Sequence, residues 1–250
     1  LQSMTYCCPS LAYLRKPLTN PFKNTHQDDA GPAAAAADLR TVEAVTATLS
    51  ELKLEPLHES QFEEKSNPAM LVAIRDTLRT IRYLNVEQAY RSCPDQLLCF
   101  YAEPTIPFSN YFNHCIKYND CTDSSCLIAL ILITKFIKKT DCTIFNAATI
   151  YKVFFTALFI AINIIEDNCL TIKAAAKIGG IDKQSFAQLL VTFLQTINHD
   201  FEGLIVTTEH LIKHIDWEHD PISELLDFFK IPRADAHKPL ADQLPPAPAW

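Results

Sequence analysis

Three histidines and three carboxylates crowd one short stretch: His210, His214, Asp216, Glu218, His219 and Asp220. His210 and His214 stand one helical turn apart, the spacing at which two imidazoles can share a metal ion. A third ligand would have to come from beyond the end of that helix, and no cysteine motif of matching spacing exists. A solvated helix surface is the simpler reading. His199-Asp200 pairs an imidazole with a carboxylate, as acid–base chemistry requires. No nucleophile motif accompanies it, so a loop role is favoured. Neither G-x-x-x-x-G-K nor G-x-G-x-x-G occurs, and the chain has only four glycines with which to cradle a phosphate. The sequence therefore points away from an enzyme and implies no cofactor and no metal.

Nine cysteines complete the reactive inventory. The count is odd and no C-x-x-C pair occurs. Cys115, Cys126, Cys142 and Cys169 fall in or beside apolar helical runs. That pattern reads as reduced, mostly buried thiols of an intracellular protein, in cytoplasm or nucleus. Cys7-Cys8-Pro9 carries no partner signal. Lys135, Lys138 and Lys139 form a small basic patch that reads as a solvated helix end; an acidic or phosphorylated partner segment is the other reading. The formal charge is −7 over 250 residues and the pI is about 5.6. Nucleic-acid binding relies on Lys and Arg neutralising phosphates, so that class is disfavoured.

The elements that must position these residues are helical. Hairpin turns consume glycine, so four glycines favour an all-α chain joined by short polar loops. The fifteen prolines gather towards the two ends. Residues 1–37 read as a flexible extension ending at Asp38, a good helix cap. Flanking helices follow in 38–103: one with Leu39, Val42, Val45, Leu49 and Leu52, another opened by Asn67-Pro68 with Leu71, Ile74, Leu78, Ile81 and Leu84. Pro107 to Tyr118 is amphipathic. Ser125–Lys138 and Asn146–Glu166 are strongly apolar, and the latter has hardly any polar face. Such a helix must be surrounded, which makes it the hub of a bundle. Its most apolar run, Val153 to Ile165, has 13 residues, against the roughly 20 of a membrane span. A short connector leads to Gly179-Gly180. Asp182 then caps a helix whose apolar side holds Phe186, Leu189, Leu190, Phe193, Leu194 and Ile197. Two further helices are expected in 204–231, Val206–Ile215 and Pro221–Phe229, before a Pro-rich tail at 232–250.

Local sequence makes the bundle more specific. Pro107 to Cys121 carries Lys117-Tyr118-x-x-Cys121, and Ala129-Leu130-Ile131 follows. Then come Thr156-Ala157 through Glu166-Asp167, and Ala176-Lys177-Ile178-Gly179-Gly180-Ile181 without a gap. On these blocks residues 104–203 resemble the single-box cyclins of the phosphate-regulon (P/U) type. The resemblance implies a cyclin-box five-helix bundle around a central apolar helix, with flanking N- and C-terminal helices. It also implies a regulatory subunit, without chemistry of its own, that docks on a cyclin-dependent protein serine/threonine kinase through the third and fifth box helices. Docking of this kind favours the active kinase conformer by binding it more tightly. The family's kinase-clamping lysine and glutamate fall at Asn163 and Leu190, so both charges are replaced. An acidic-basic pair of the family is Thr134-Lys135 here. The partner-binding positions that follow are Asn163, Glu166, Asp167 and Leu190, with Lys135 nearby. A monomer that binds its kinase, with no nucleic acid and no membrane, is the expected state. The lost charges leave a second reading open, a cyclin-like scaffold that no longer activates a kinase.

Overall fold

Proline and glycine are scarce through the centre of the chain, and the backbone there takes the form that this permits. The structure is a computed structural model and describes residues 67–84, 95–102, 105–119, 121–140, 145–166 and 170–231. Among these residues there are eight α-helices, one 3-10 turn and no strand. The helices are α1 (Pro68–Leu84), α2 (Phe108–Asn119), α3 (Asp123–Lys139), α4 (Ile150–Ile165), α5 (Ile172–Gly179), α6 (Lys183–Thr196), α7 (Leu204–His214) and α8 (Pro221–Phe228). The 3-10 turn, Asp95–Phe100, precedes α2. The extension 1–37, the helix expected from Asp38 and the tail 232–250 lie outside the described residues.

Caps explain most of the boundaries. Asn67 Oδ1 accepts from the Ala69 and Met70 amides at 3.1 and 3.3 Å and opens α1. Thr122 caps α3 by accepting from the Ser125 amide at 3.2 Å. Asp182 caps α6 through the Ser185 amide at 2.8 Å. Each supplies an acceptor for a backbone donor that the first helical turn cannot satisfy itself. The stretch read as a short connector before Gly179 is a helix instead, α5. At eight residues it is too short to show a sustained 3.6-residue period. Thr171 starts it, accepting from the Ala174 amide at 3.2 Å. Gly180 ends it at φ 68°, a left-handed angle that glycine adopts without penalty.

Helix α4 is the hub. Thirteen of its sixteen residues are buried, and it packs on α3, α6, α2 and α5. The expectation missed that α3 is just as enclosed, with fourteen of its seventeen residues buried. Its far side is covered by α1 and α7, and α8 closes over α1. The two flanks therefore meet each other behind the α3–α4 pair. Aromatic rings bind the layers together. Phe136 of α3 stacks on Phe193 of α6 with centroids 4.8 Å apart, and Phe100 of the 3-10 turn meets Phe136 edge-on at 5.3 Å. On the other side of α4, Phe112 stacks on Phe154 at 4.9 Å. Offset and edge-to-face pairs of this kind each add about 0.5–1.5 kcal/mol to the area buried.

Candidate functional site

Four of the five positions expected to meet a partner lie within the described residues. Asn163 lies in the last turn of α4 and is half-exposed. Its Nδ2 donates to the Phe159 carbonyl one turn back at 2.8 Å. Phe159 in turn meets Phe186, near the start of α6, with centroids 5.2 Å apart. Asn163 thus sits where the hub helix emerges beside α6.

Leu190 does not share that surface, and its assignment as a contact is corrected. The side chain is fully buried and belongs to the core. The apolar period of α6, through Phe186, Leu189, Leu190 and Phe193, turns it inward, where no docking partner can reach it. The exposed stripe of α6 is Gln184, Gln188 and Gln195, with half-buried Val191 on the same face. Gln188 Nε2 donates to Thr192 Oγ1 at 3.3 Å along this side.

Glu166 and Lys135 are occupied inside the molecule. Glu166 is the residue that ends α4. Its Oε1 accepts from the Thr122 amide at 3.0 Å, Thr122 Oγ1 at 2.8 Å and Ser125 Oγ at 2.6 Å. A carboxylate at the start of α3 is favourable because unpaired amides and the helix dipole concentrate positive potential there. Beside it, Asp123 accepts from the Asn67 amide, tying the start of α1 to the start of α3. Lys135 Nζ donates to Asp200 Oδ1 at 2.8 Å and to the Asp200 and Glu202 carbonyls at 3.2 and 3.0 Å. It is therefore a staple between α3 and the loop that joins α6 to α7, not part of a free basic patch. The ammonium beside Asp200 holds that carboxyl below its ordinary range. Asp167 lies outside the described residues.

Lys152 was not singled out by the sequence. It is on α4, three turns before Asn163, and its Nζ donates to the Cys99 carbonyl at 2.9 Å. Burial pushes its ammonium down from the usual lysine value. With the Ala102 amide donating to the Ala148 carbonyl at 2.9 Å, it fastens the 95–102 segment over the start of the hub. A lysine followed by an apolar run is a weak signal, since the acceptor is a backbone carbonyl 53 residues away.

His210 and His214 do face one another, with ring centroids 4.4 Å apart. Among the described residues no three His, Cys, Asp or Glu side chains are placed to hold a metal ion together. His219 Nδ1 instead pairs with Asp216 Oδ2 at 2.8 Å. That contact pushes the imidazole up and the carboxyl down from their usual values. Among the described residues no helix is long and apolar enough to cross a membrane.

The helical order, the enclosed third helix of the bundle and the A-K-I-G-G-I turn at the α5–α6 junction agree with a comparison of the whole chain. Residues 23–201 match the family model described as cyclin. The chain belongs to the cyclin family. Its eight helices without a strand among the described residues carry a cyclin-box fold. This cyclin is similar to Cyclin-U4-2 of Arabidopsis thaliana, 23% identical over 155 residues, covering 60% of the chain and 71% of that protein. It is also similar to Cyclin-U4-3 of the same plant, 21% identical over 140 residues, with 56% and 64% covered. Cyclin-P4-1 of Oryza sativa subsp. japonica is 22% identical over 98 residues, 39% of this cyclin and 46% of that protein. The chain thus spans between about half and about seven-tenths of these relatives' own lengths.

Proposed function

We propose that this cyclin is a regulatory subunit that docks on a cyclin-dependent protein serine/threonine kinase without chemistry of its own. The match to the cyclin family over residues 23–201 carries the reading. The docking surface combines the last turn of α4 at Asn163 with the glutamine stripe of α6, Gln184, Gln188 and Gln195. This surface offers hydrogen bonds and apolar contact in place of an ion-pair clamp. Fewer charges mean less electrostatic steering and weaker dependence of the association rate on salt.

The test is capture of cyclin-dependent kinases on the full chain, with kinase assays in its presence and absence. Wild type binds a kinase and raises its activity. Asn163→Arg and Gln188→Arg, whose thermal unfolding matches wild type, lose at least about tenfold in affinity, the scale of one lost well-packed contact. Unchanged binding by both folded variants rules out this surface.

One observation favours a second reading, a scaffold that keeps the fold without activating a kinase. Of the charges available near the expected interface, Glu166 and Lys135 are both used internally. A kinase that is captured but not activated by the chain supports that reading.

A further inference from the structure

We propose that Cys121 and Cys126 form a reversible intramolecular disulfide when the chain meets a hydroperoxide. The two Sγ atoms lie 3.9 Å apart. Cys121 immediately precedes the cap Thr122, and Cys126 is the fourth residue of α3. Side chains at these two positions meet across a helix start, where apolar pairs commonly pack together. Here both are thiols. A disulfide needs its sulfurs about 2.05 Å apart, so the gap closes by a shift of Cys121, whose backbone is non-helical. Cys126 is held by α3 and does not need to move.

Exposure divides the labour. Cys121 is half-exposed and Cys126 is fully buried. The Cys121 contact and burial also push the Cys126 thiol up, which keeps Cys126 from reacting first with a solvent oxidant. The sulfur of Cys121 attacks one oxygen of the hydroperoxide, the O–O bond breaks, and the departing oxygen takes up the Cys121 thiol proton and leaves as an alcohol or water. Cys121 is left as the sulfenic acid. The Cys126 thiol then attacks that sulfur. The S–S bond forms, the S–O bond breaks, and water leaves with the Cys126 proton. Two electrons pass from the sulfur pair to the peroxide, and a dithiol returns them by exchange. Cys115, also buried and within electrostatic reach of Cys121, is the competing thiol, and its pairing with Cys121 would join two separate tryptic peptides.

The test needs only the full chain. Trypsin cuts after Lys117 and Lys135, so one peptide, Tyr118–Lys135, carries both Cys121 and Cys126, whereas Cys93, Cys99 and Cys115 share the peptide ending at Lys117. The chain is treated with equimolar hydrogen peroxide, alkylated in denaturant and digested. The expected product is peptide 118–135 lighter by two hydrogens and unalkylated, restored by dithiothreitol. In Cys121→Ser, Cys126 remains fully alkylatable after peroxide. In Cys126→Ala, a small replacement that spares the core, Cys121 stops at a sulfenic acid that dimedone traps. Three results overturn the proposal. They are a cross-link between peptide 118–135 and the Lys117 peptide, direct passage of wild-type Cys121 to the sulfinic acid, or both thiols intact while other cysteines oxidise.

Discussion

Leu190 and Asn163 occupy the two positions where the resemblance expects a glutamate and a lysine, yet the structure predicts opposite fates for the restored charges. Glutamate at Leu190 is placed in the core, where an unpaired carboxylate costs several kcal/mol or shifts its pKa to become neutral. Lysine at Asn163 loses one hydrogen bond to Phe159, worth about 0.5–1.5 kcal/mol. Urea unfolding is expected to show Asn163→Lys close to wild type and Leu190→Glu destabilised by about 3 kcal/mol or more. The orientation of Leu190 was legible all along in the apolar period of its helix. The family resemblance, which carries register but not rotation, pointed elsewhere. Gly179 has a different constraint. A Cβ there would lie 2.4 Å from Cε1 of the buried Phe155 ring, so Gly179→Ala is expected to destabilise by about 1–3 kcal/mol through overpacking. Thermal unfolding reads the loss directly.

The elements α3, α4 and α6 are joined by polar contacts that no periodicity could have revealed. Lys135 reaches a loop 65 residues on, and Glu166 reaches back 41 and 44 residues to Ser125 and Thr122. Sequence shows that such side chains exist; only the fold names their partners. Helix caps were legible, because Asn67 and Asp182 act on amides two or three residues ahead. Helix α5 was not, since eight residues give too few turns for a period. The Lys135 staple has a measurable pH signature. Its ammonium lowers the Asp200 pKa, so the pair contributes above the ordinary carboxylate range and fades as pH falls through the folded value. Asp200 is 44% exposed, which limits the contribution to below about 1 kcal/mol. Lys135→Met is expected to lose that increment at pH 7 and to differ less from wild type in acid, once Asp200 is protonated and only the bonds to the Asp200 and Glu202 carbonyls remain to be lost. Denaturant midpoints taken at both pH values decide it.

Across the whole molecule, α1 and α8 close on each other behind α3, so the flanks belong to the same cooperative unit as the five-helix bundle. Leu225 of α8 is fully buried, and Leu225→Ala is expected to cost about 2–5 kcal/mol. The chain has two tryptophans. In a Trp250→Phe background the remaining one, Trp217, reports from the turn between α7 and α8. Its fluorescence transition is expected to coincide with the loss of helical circular dichroism in both wild type and Leu225→Ala. An early, separate fluorescence change would show the C-terminal flank peeling away on its own.

Enclosure of α3 and α4 on every side also sets a clock for their amide protons. Backbone hydrogens along the buried middle of these two helices can exchange with deuterium only when the layers around them part, so they report the rarest opening of the chain. The last turn of α4 and the glutamine face of α6 exchange through smaller fluctuations. A partner seated there slows their deuterium uptake within seconds to minutes, while the protons at the centre of α4 record only how firmly the bound chain resists opening as a whole.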